Sequence, residues 1–248
     1  MSKVNLEAYD AIAVLRLNNG VTNAISPEFV DDLSATVKQI KNQFKGLVLA
    51  GGGKFFCIGL DLPTLLQLDR PDMTEFYIRF NQAVLDLYTL PMPTAVAIDG
   101  HAIAGGAIIA MSSDFRFVSS GRKLIGFNEV KIGVPVPYLA DLMLRQITGD
   151  RCATEMMFSG EFFEPQQAQK VGLIDDVFSP EDLEEKAVAK ISELAALPPY
   201  GMAVIKNSRI EAVRSRYEEM RSADADWFLN CWFKPAVQEL LQEAAKKF

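Results

Sequence analysis

The sequence has one histidine, His101, in 248 residues. A single imidazole cannot build a His-based metal centre, and it leaves little room for a Ser-His-Asp triad. Cysteine is scarce as well. Cys57, Cys152 and Cys231 are odd in number, scattered and without a CxxC pair. They read as reduced, buried thiols and not as a disulfide framework, so a cytoplasmic protein is expected. Long apolar runs are missing. The longest, Ala102–Met111, is too short to span a bilayer and carries Gly105 and Gly106. The opening residues MSKVNLEAYDAIAVLRL show neither a secretory leader nor an Arg-rich transit peptide. Positive charge is in deficit, with 25 Lys and Arg against 32 Asp and Glu, a net charge of −7. Nucleic-acid binding needs the opposite balance. Neither a membrane nor a nucleic acid is therefore expected as a partner.

What is present is an ordinary globular mixture, 49% hydrophobic and 23% charged. Its length fits one large domain, or one domain with an appendage. Strand-like runs are Ala11–Leu17, Gly46–Ala50, Thr94–Ile98 and Asp114–Val118, with a weaker one near Asp176–Phe178. Between them, Pro27–Asn42 places Phe29, Val30, Leu33, Val37 and Ile40 on one helical face, with Ser26 as cap. Thr74–Leu90 has the same character. After about Tyr138 helices dominate: Tyr138–Thr148, Arg151–Phe158, Pro165–Val171, Pro180–Leu197 and Ala203 onward. This predicts an α/β fold whose last quarter is helical, with Pro198–Gly201 as a hinge.

Glycine-rich segments carry the next signal. Gly51–Gly53 follows a strand, but Lys54 is followed by Phe55 and Val48 stands where a P-loop needs glycine. A tight turn is expected there. Gly59 in FCIGLDL and Gly105–Gly106 in DGHAIAGGA each follow a strand and open an apolar segment. Glycine there either admits a ligand close to the backbone or lets a helix and a strand pack tightly. Two backbone N–H groups converging at such points would make an oxyanion hole.

Five segments, in order and spacing, together resemble the crotonase (enoyl-CoA hydratase/isomerase) superfamily. They are Asn23–Ser26, Phe55–Leu62, Pro93–Gly106, Ile125–Gly133, and Ser159–Gly160 with Ala168–Ile174. The resemblance implies a crotonase-like spiral of repeated ββα units over residues 1–197. It also implies a helical trimerisation region over 198–248. The implied ligand is an acyl-CoA thioester, with coenzyme A as part of the substrate and no separate cofactor. By position, Leu60 and Gly105 supply the oxyanion-hole N–H groups. Ala24, Ile58, Gly59 and Gly106 fall in the CoA- and substrate-binding segments, with the Ile58 backbone facing adenine. Gly20 stands where some hydratases carry a phosphate-contacting lysine. Lys54 and Lys234 are the basic candidates for the CoA phosphates, Lys234 acting across a subunit boundary.

The hydratase branch uses two glutamates. Here Ile108 occupies the first position and Glu129 the second. One carboxylate can shuttle a proton but cannot hold water between two acids. The stretch Gly126–Phe127–Asn128–Glu129 and the proline-containing loop after it resemble the mitochondrial-type Δ3,Δ2-enoyl-CoA isomerases. Glu129 is thus the expected base. Hydratase activity, another single-acid reaction, or a non-catalytic CoA-binding protein are the alternatives. Asp61 reads as a helix cap, Asp114 as a partner for backbone donors, His101 as structural or pocket-lining, and Cys57 as a buried small hydrophobe. A homotrimer or dimer of trimers is expected. The apolar residues Trp227, Phe228, Leu229, Cys231, Trp232, Phe233, Val237, Leu240 and Leu241 exceed what a peripheral tail needs.

Overall fold

The chain opens with an antiparallel hairpin, β1 (Val4–Tyr9) and β2 (Ile12–Leu17), turned at Asp10 with φ +52°. The structure is a computed structural model describing residues 2–246; Lys247 and Phe248, at the end of the expected helical region, lie outside the described residues. β1 has no counterpart in the sequence reading. Only Val4 of its six residues is fully buried, so its hydrophobic signal is weak.

Helix α1 (Pro27–Gln43) forms as expected. The Ser26 hydroxyl accepts from Phe29 N, Pro27 takes the first turn, and the predicted apolar face is buried. Next come β3 (Gly46–Cys57), α2 (Leu62–Leu65), α3 (Arg70–Tyr88), β4 (Thr94–Ile103), α4 (Gly105–Met111), β5 (Phe115–Ser119) and β6 (Ile125–Gly126). A 3-10 turn, Glu129–Ile132, precedes α5 (Tyr138–Thr148), α6 (Asp150–Ser159), β7 (Phe162–Phe163), α7 (Pro165–Lys170), β8 (Asp176–Phe178) and α8 (Leu183–Ala195). The long helix α9 (Pro199–Trp232) and α10 (Pro235–Ala245) end the described chain.

Strands β2, β3, β4, β5 and β8 run parallel in that order. The first half of β4 pairs with β5, whereas Ala102 and Ile103 pair with β6, which in turn pairs with β7. β4 therefore serves two different neighbours, one along each half. This corrects the expected Gly51–Gly53 turn. The three glycines lie inside β3, where the register shifts between Gly52 and Phe55 before pairing resumes at Phe55–His101. A bulge absorbs the positive φ of Gly53, +85°, so the strand bends instead of ending.

Two apolar layers flank the sheet. On one face α8 packs Leu183, Ala187 and Ile191 against Ile12, Val14, Val48, Ala95 and Phe117. The main core lies on the other face and gathers α1, α3, α4, α5 and the C-terminal helices. Asp114 accepts from Thr94 N at 2.9 Å, as expected, and also pairs with buried Lys206 of α9 at 2.8 Å.

Two further expectations are corrected here. Pro198–Gly201 is no hinge: Pro199 starts α9, where its missing N–H costs nothing. The apolar residues assigned to a subunit interface are mostly spent inside the chain. Phe228, Leu229, Trp232, Val237 and Leu241 are buried in its own core, while Trp227 and Leu240 stay about half exposed. The sequence supplied the amphipathic content but not the direction in which these helices fold.

Helix α4 meets β3 at backbone distance. A Cβ on Gly106 would fall inside contact distance of Cys57 O and Cβ. Gly106→Ala is therefore expected to destabilise the protein by about 1–3 kcal/mol. Gly121→Ala, whose Cβ meets nothing, bears only the penalty of its positive φ. Denaturant unfolding of the two variants checks the difference.

Candidate active site

The site is built where the ends of β3 and β4 touch. Asn23, at φ +46°, clamps the end of β3: its Nδ2 donates to Phe56 O at 3.0 Å and its Oδ1 accepts from Asn19 N at 2.8 Å. Ile58 N donates to Thr22 O, Ile25 N to Gly59 O, and Asp61 N to Ile25 O. Gly59 N reaches the Cys57 sulfur at 3.4 Å. The amides on either side of Leu60 are thus occupied. Among the described residues, no acceptor is bonded to the Leu60 N–H or the Gly105 N–H. Gly105 opens α4, so its N–H has no intrahelical partner. Ala104, just before it, takes φ +48° and ψ −118°, a strained conformation for a residue with a Cβ, costing on the order of 1–3 kcal/mol. This turn swings the chain from β4 into α4 beside Gly59, where an added Cβ would lie 3.3 Å from Gly105 N.

These elements border a cavity of about 550 Å³. Ile58, Leu60, Gly105, Ile108 and Glu129 all line it. Gly59 and Gly106 stand behind the wall and permit the close packing. Ala24 is buried and holds Asn19 through its carbonyl, away from the lining. Lys234 is exposed at the start of α10 and does not line the cavity. The remaining expectations fall into place. Asp61 caps α2, accepting from Thr64 N at 3.2 Å. Cys57 is fully buried, and burial pushes its thiol up to about 12. His101 lines the cavity and its Nδ1 accepts from Leu124 N at 2.9 Å.

Glu129 is the one carboxylate among the lining residues. It opens the 3-10 turn and is 5% exposed. Its Oε2 has no hydrogen-bond partner among the described residues. With no cation among the described residues to offset the lost hydration, burial raises its pKa to about 7. Ile108 is fully buried in α4, so the position where a second acid would stand is apolar.

At the exposed end the cavity is lined by Lys54, one of the basic candidates from the sequence, and by Lys131, which sequence reasoning missed, as it did the opposite, buried end. Arg122 and Lys123 lie close enough, with Lys54, to press the His101 pKa downward after burial has done so. At the buried end stand Tyr77 and Phe80 of α3 with Phe228 and Trp232 of α9. These residues lie about 150 positions apart in the chain, and no local pattern could have joined them.

The raised pKa of Glu129 has a consequence for stability. The folded state binds a proton more tightly than the unfolded carboxyl, near 4.5. Stability is therefore lost as pH rises from about 4.5 through 7. Glu129→Gln removes that loss. The variant is expected to gain up to about 3 kcal/mol on wild type between pH 4.5 and pH 8. Unfolding curves at the two pH values check it.

The sequence matches the enoyl-CoA hydratase/isomerase family over residues 7–247. It is 28% identical over 243 residues to human mitochondrial enoyl-CoA delta isomerase 1, covering 96% of this chain and 80% of that protein. It is 30% identical over 226 residues to a Mycobacterium tuberculosis protein named probable enoyl-CoA hydratase EchA17, covering 86% of each. The crystal structure of human mitochondrial delta3-delta2-enoyl-CoA isomerase superposes with a TM-score of 0.94 at 26% identity, covering 99% of this chain and 97% of that one. The fold is the crotonase-like α/β architecture that the motifs imply, and the chain belongs to the enoyl-CoA hydratase/isomerase family.

Proposed function

We propose that this enzyme moves the double bond of a 3-enoyl-CoA to give the 2-enoyl-CoA. The observation that carries the reading is the lone carboxylate. Glu129 shares its cavity with two unbonded backbone donors, and Ile108 fills the place of a second acid. Glu129 takes a proton from C2. The electrons pass toward the thioester oxygen, where the Leu60 and Gly105 N–H groups hold the developing charge. One such donor is worth about 2.7–4 kcal/mol. The protonated Glu129 then gives the same proton to C4, the double bond settles between C2 and C3, and the carboxylate is restored. A pKa near 7 suits a group that must first accept and then donate. The coenzyme A moiety arrives with the substrate, and the proton transfer needs no other cofactor. Lys54 and Lys131 at the mouth favour an anionic handle on an otherwise acidic protein.

Glu129→Gln is expected to lower isomerisation by about 10²–10⁴-fold while acyl-CoA still binds. Wild-type kcat/KM is expected to fall tenfold per pH unit below about 7, as the carboxylate is lost. Ultraviolet absorbance of the conjugated product follows both. Near-wild-type turnover by the variant would remove Glu129 as the base. The similarity to a protein named as a hydratase keeps water addition as the second reading. Negligible hydration of 2-enoyl-CoA is expected, because Ile108 cannot orient water; hydration matching isomerisation would reverse the order of the two readings.

A homotrimer, or a dimer of trimers, belongs to the same proposal. Val130, Phe158 and Trp227 support it in place of the buried C-terminal residues. Phe158 is 79% exposed, and all three border one shallow apolar groove. Closed rotational symmetry is the usual way to cover such a surface. Light scattering is expected to give three or six chain masses; a monomer at micromolar concentration would defeat the assembly. A cytoplasmic location is proposed on the scattered free thiols. Among the described residues no helix is long and apolar enough to cross a membrane.

A further inference from the structure

The single histidine of the chain stands in the wall of the cavity. Other polar side chains of that wall are engaged. The Tyr77 hydroxyl donates to Asp224 Oδ2 at 3.0 Å, and Lys131 pairs with Glu161. Glu129 has its proposed role as base. His101 has none. Its ring is held on two sides. Phe55, its register partner on β3, meets it edge-on with ring centroids 5.5 Å apart, and the Leu124 N–H donates to Nδ1 at 2.9 Å.

The Leu124 amide fixes the tautomer. A backbone N–H can only donate, so Nδ1 carries no proton and the ring proton sits on Nε2. The ring is neutral: burial lowers its pKa, and Lys123, Arg122 and Lys54 press it further down. Among the described residues Nε2–H donates to nothing, and it is not one of the buried polar atoms left without a partner. It is an accessible donor, on a residue that lines the cavity. β3 and β4 run side by side from the Phe55–His101 pair toward the unbonded amides of Leu60 and Gly105. Gly105 is four residues on from His101, a separation of at most about 13 Å. A largely apolar cavity uses its few polar groups to orient what it holds.

We propose that His101 Nε2–H donates to an amide carbonyl of the pantetheine arm of the bound acyl-CoA. The inference rests on the acyl-CoA reading of the cavity and adds to it a residue that recognises the carrier, not the acyl chain. The arm holds its two amides between the thioester and the phosphates, so one of them falls within the span from the oxyanion donors to His101. An amide drawn out of water without a partner costs free energy, and a neutral donor satisfies it without burying a charge. The phosphates match the exposed lysine at the mouth, Lys54, instead.

As the only histidine, His101 gives the untagged protein one set of imidazole nitrogen resonances. In wild type labelled at histidine nitrogen, these are expected to show the Nε2–H tautomer. Hexanoyl-pantetheine, which has the amides and no phosphate, is expected to shift Nε2 and slow the exchange of its proton. An Nδ1–H tautomer, or an unmoved Nε2 signal with the ligand bound, overturns the proposal. Affinities for hexanoyl-CoA and hexanoyl-pantetheine are then compared by calorimetry in wild type, His101→Asn and His101→Gln. Asparagine keeps an acceptor for the Leu124 N–H but has no donor at the place of Nε2, which glutamine restores. His101→Asn is expected to weaken both ligands by the same factor, about tenfold, and His101→Gln to recover most of it. Turnover of a 3-enoyl-CoA by His101→Asn is expected to show the loss in KM, with kcat within about twofold of wild type. A loss confined to hexanoyl-CoA assigns the donor to a phosphate and overturns the proposal, as does unchanged affinity. If neither ligand binds wild type, the acyl-CoA reading falls with it; binding without isomerisation overturns the isomerase reading alone. Should His101→Asn not fold, the wild-type nitrogen resonances decide by themselves.

Discussion

The close approach of two stretches of backbone, the end of β3 and the turn that leaves β4, is the constraint on which the site depends. Gly59 and Gly105 lie side by side: a Cβ on Gly59 would press on Ile103 O at 3.1 Å and Gly105 N at 3.3 Å, and one on Gly105 would displace the tip of Ile25. Gly106 is pressed onto Cys57 and Gly100 onto Phe56. The order of the parallel strands follows from this contact, since β3 and β4 must be neighbours for it to form. The same contact frees the two amides. The N–H groups on either side of Leu60 are bonded, Gly59 N to Cys57 Sγ and Asp61 N to Ile25 O, so the one left over is fixed in direction by its neighbours. Donors of this kind belong to the frame itself and need no reorganisation when charge develops. The strained turn at Ala104 is the cost of placing the second of them.

The acid is held on a different principle. Glu129 sits in a short 3-10 turn between β6 and α5, against which α10 packs, Val237 lying over Gly133. Among the described residues no cation stands next to its carboxylate. The lysine two residues on, Lys131, turns to the rim and pairs with Glu161 at 2.6 Å. The chain thus separates two kinds of electrostatics within one cavity. Positive charge gathers at the exposed end, where it attracts without being desolvated. The interior keeps a single acid whose proton affinity is raised by burial against a smaller opposing effect of its own backbone N–H.

Much of this was legible in the sequence because it is local. Ser26 and Asp61 as caps, the apolar face of α1, the span of α5 and the weak strand at Asp176–Phe178 all follow from short-range pattern. The motif residues Ile58, Leu60, Gly105 and Glu129 were legible for another reason: the family resemblance fixed their relative positions, and the fold brings all four to one cavity. What was illegible is tertiary. Gly51–Gly53 looked like a turn because glycine marks both turns and bulges, and only the partner strand decides between them. Phe228 and Trp232 were visible as large apolar residues, but a hydrophobic helix face does not say whether its cover is the same chain or another. β1 was missed because an edge strand with one buried residue gives almost no alternation to read.

The return of α9 and α10 onto the core bears on how the molecule comes into being. Phe228, Trp232 and Ala244 complete the wall of a cavity whose opposite parts begin at Lys54. Tyr77 awaits Asp224, Arg70 awaits Leu229, and Asp114 awaits Lys206. A chain made from its N-terminus on the ribosome would hold the parts of β3 and β4 long before the segment that covers them exists. Until that segment emerges, the apolar floor around Tyr77 and Phe80 faces water. The nascent protein would then be most exposed to aggregation late in its synthesis, and contacts of such long sequence separation favour slow closure. The wall that encloses the cavity is also the last part of it to be made.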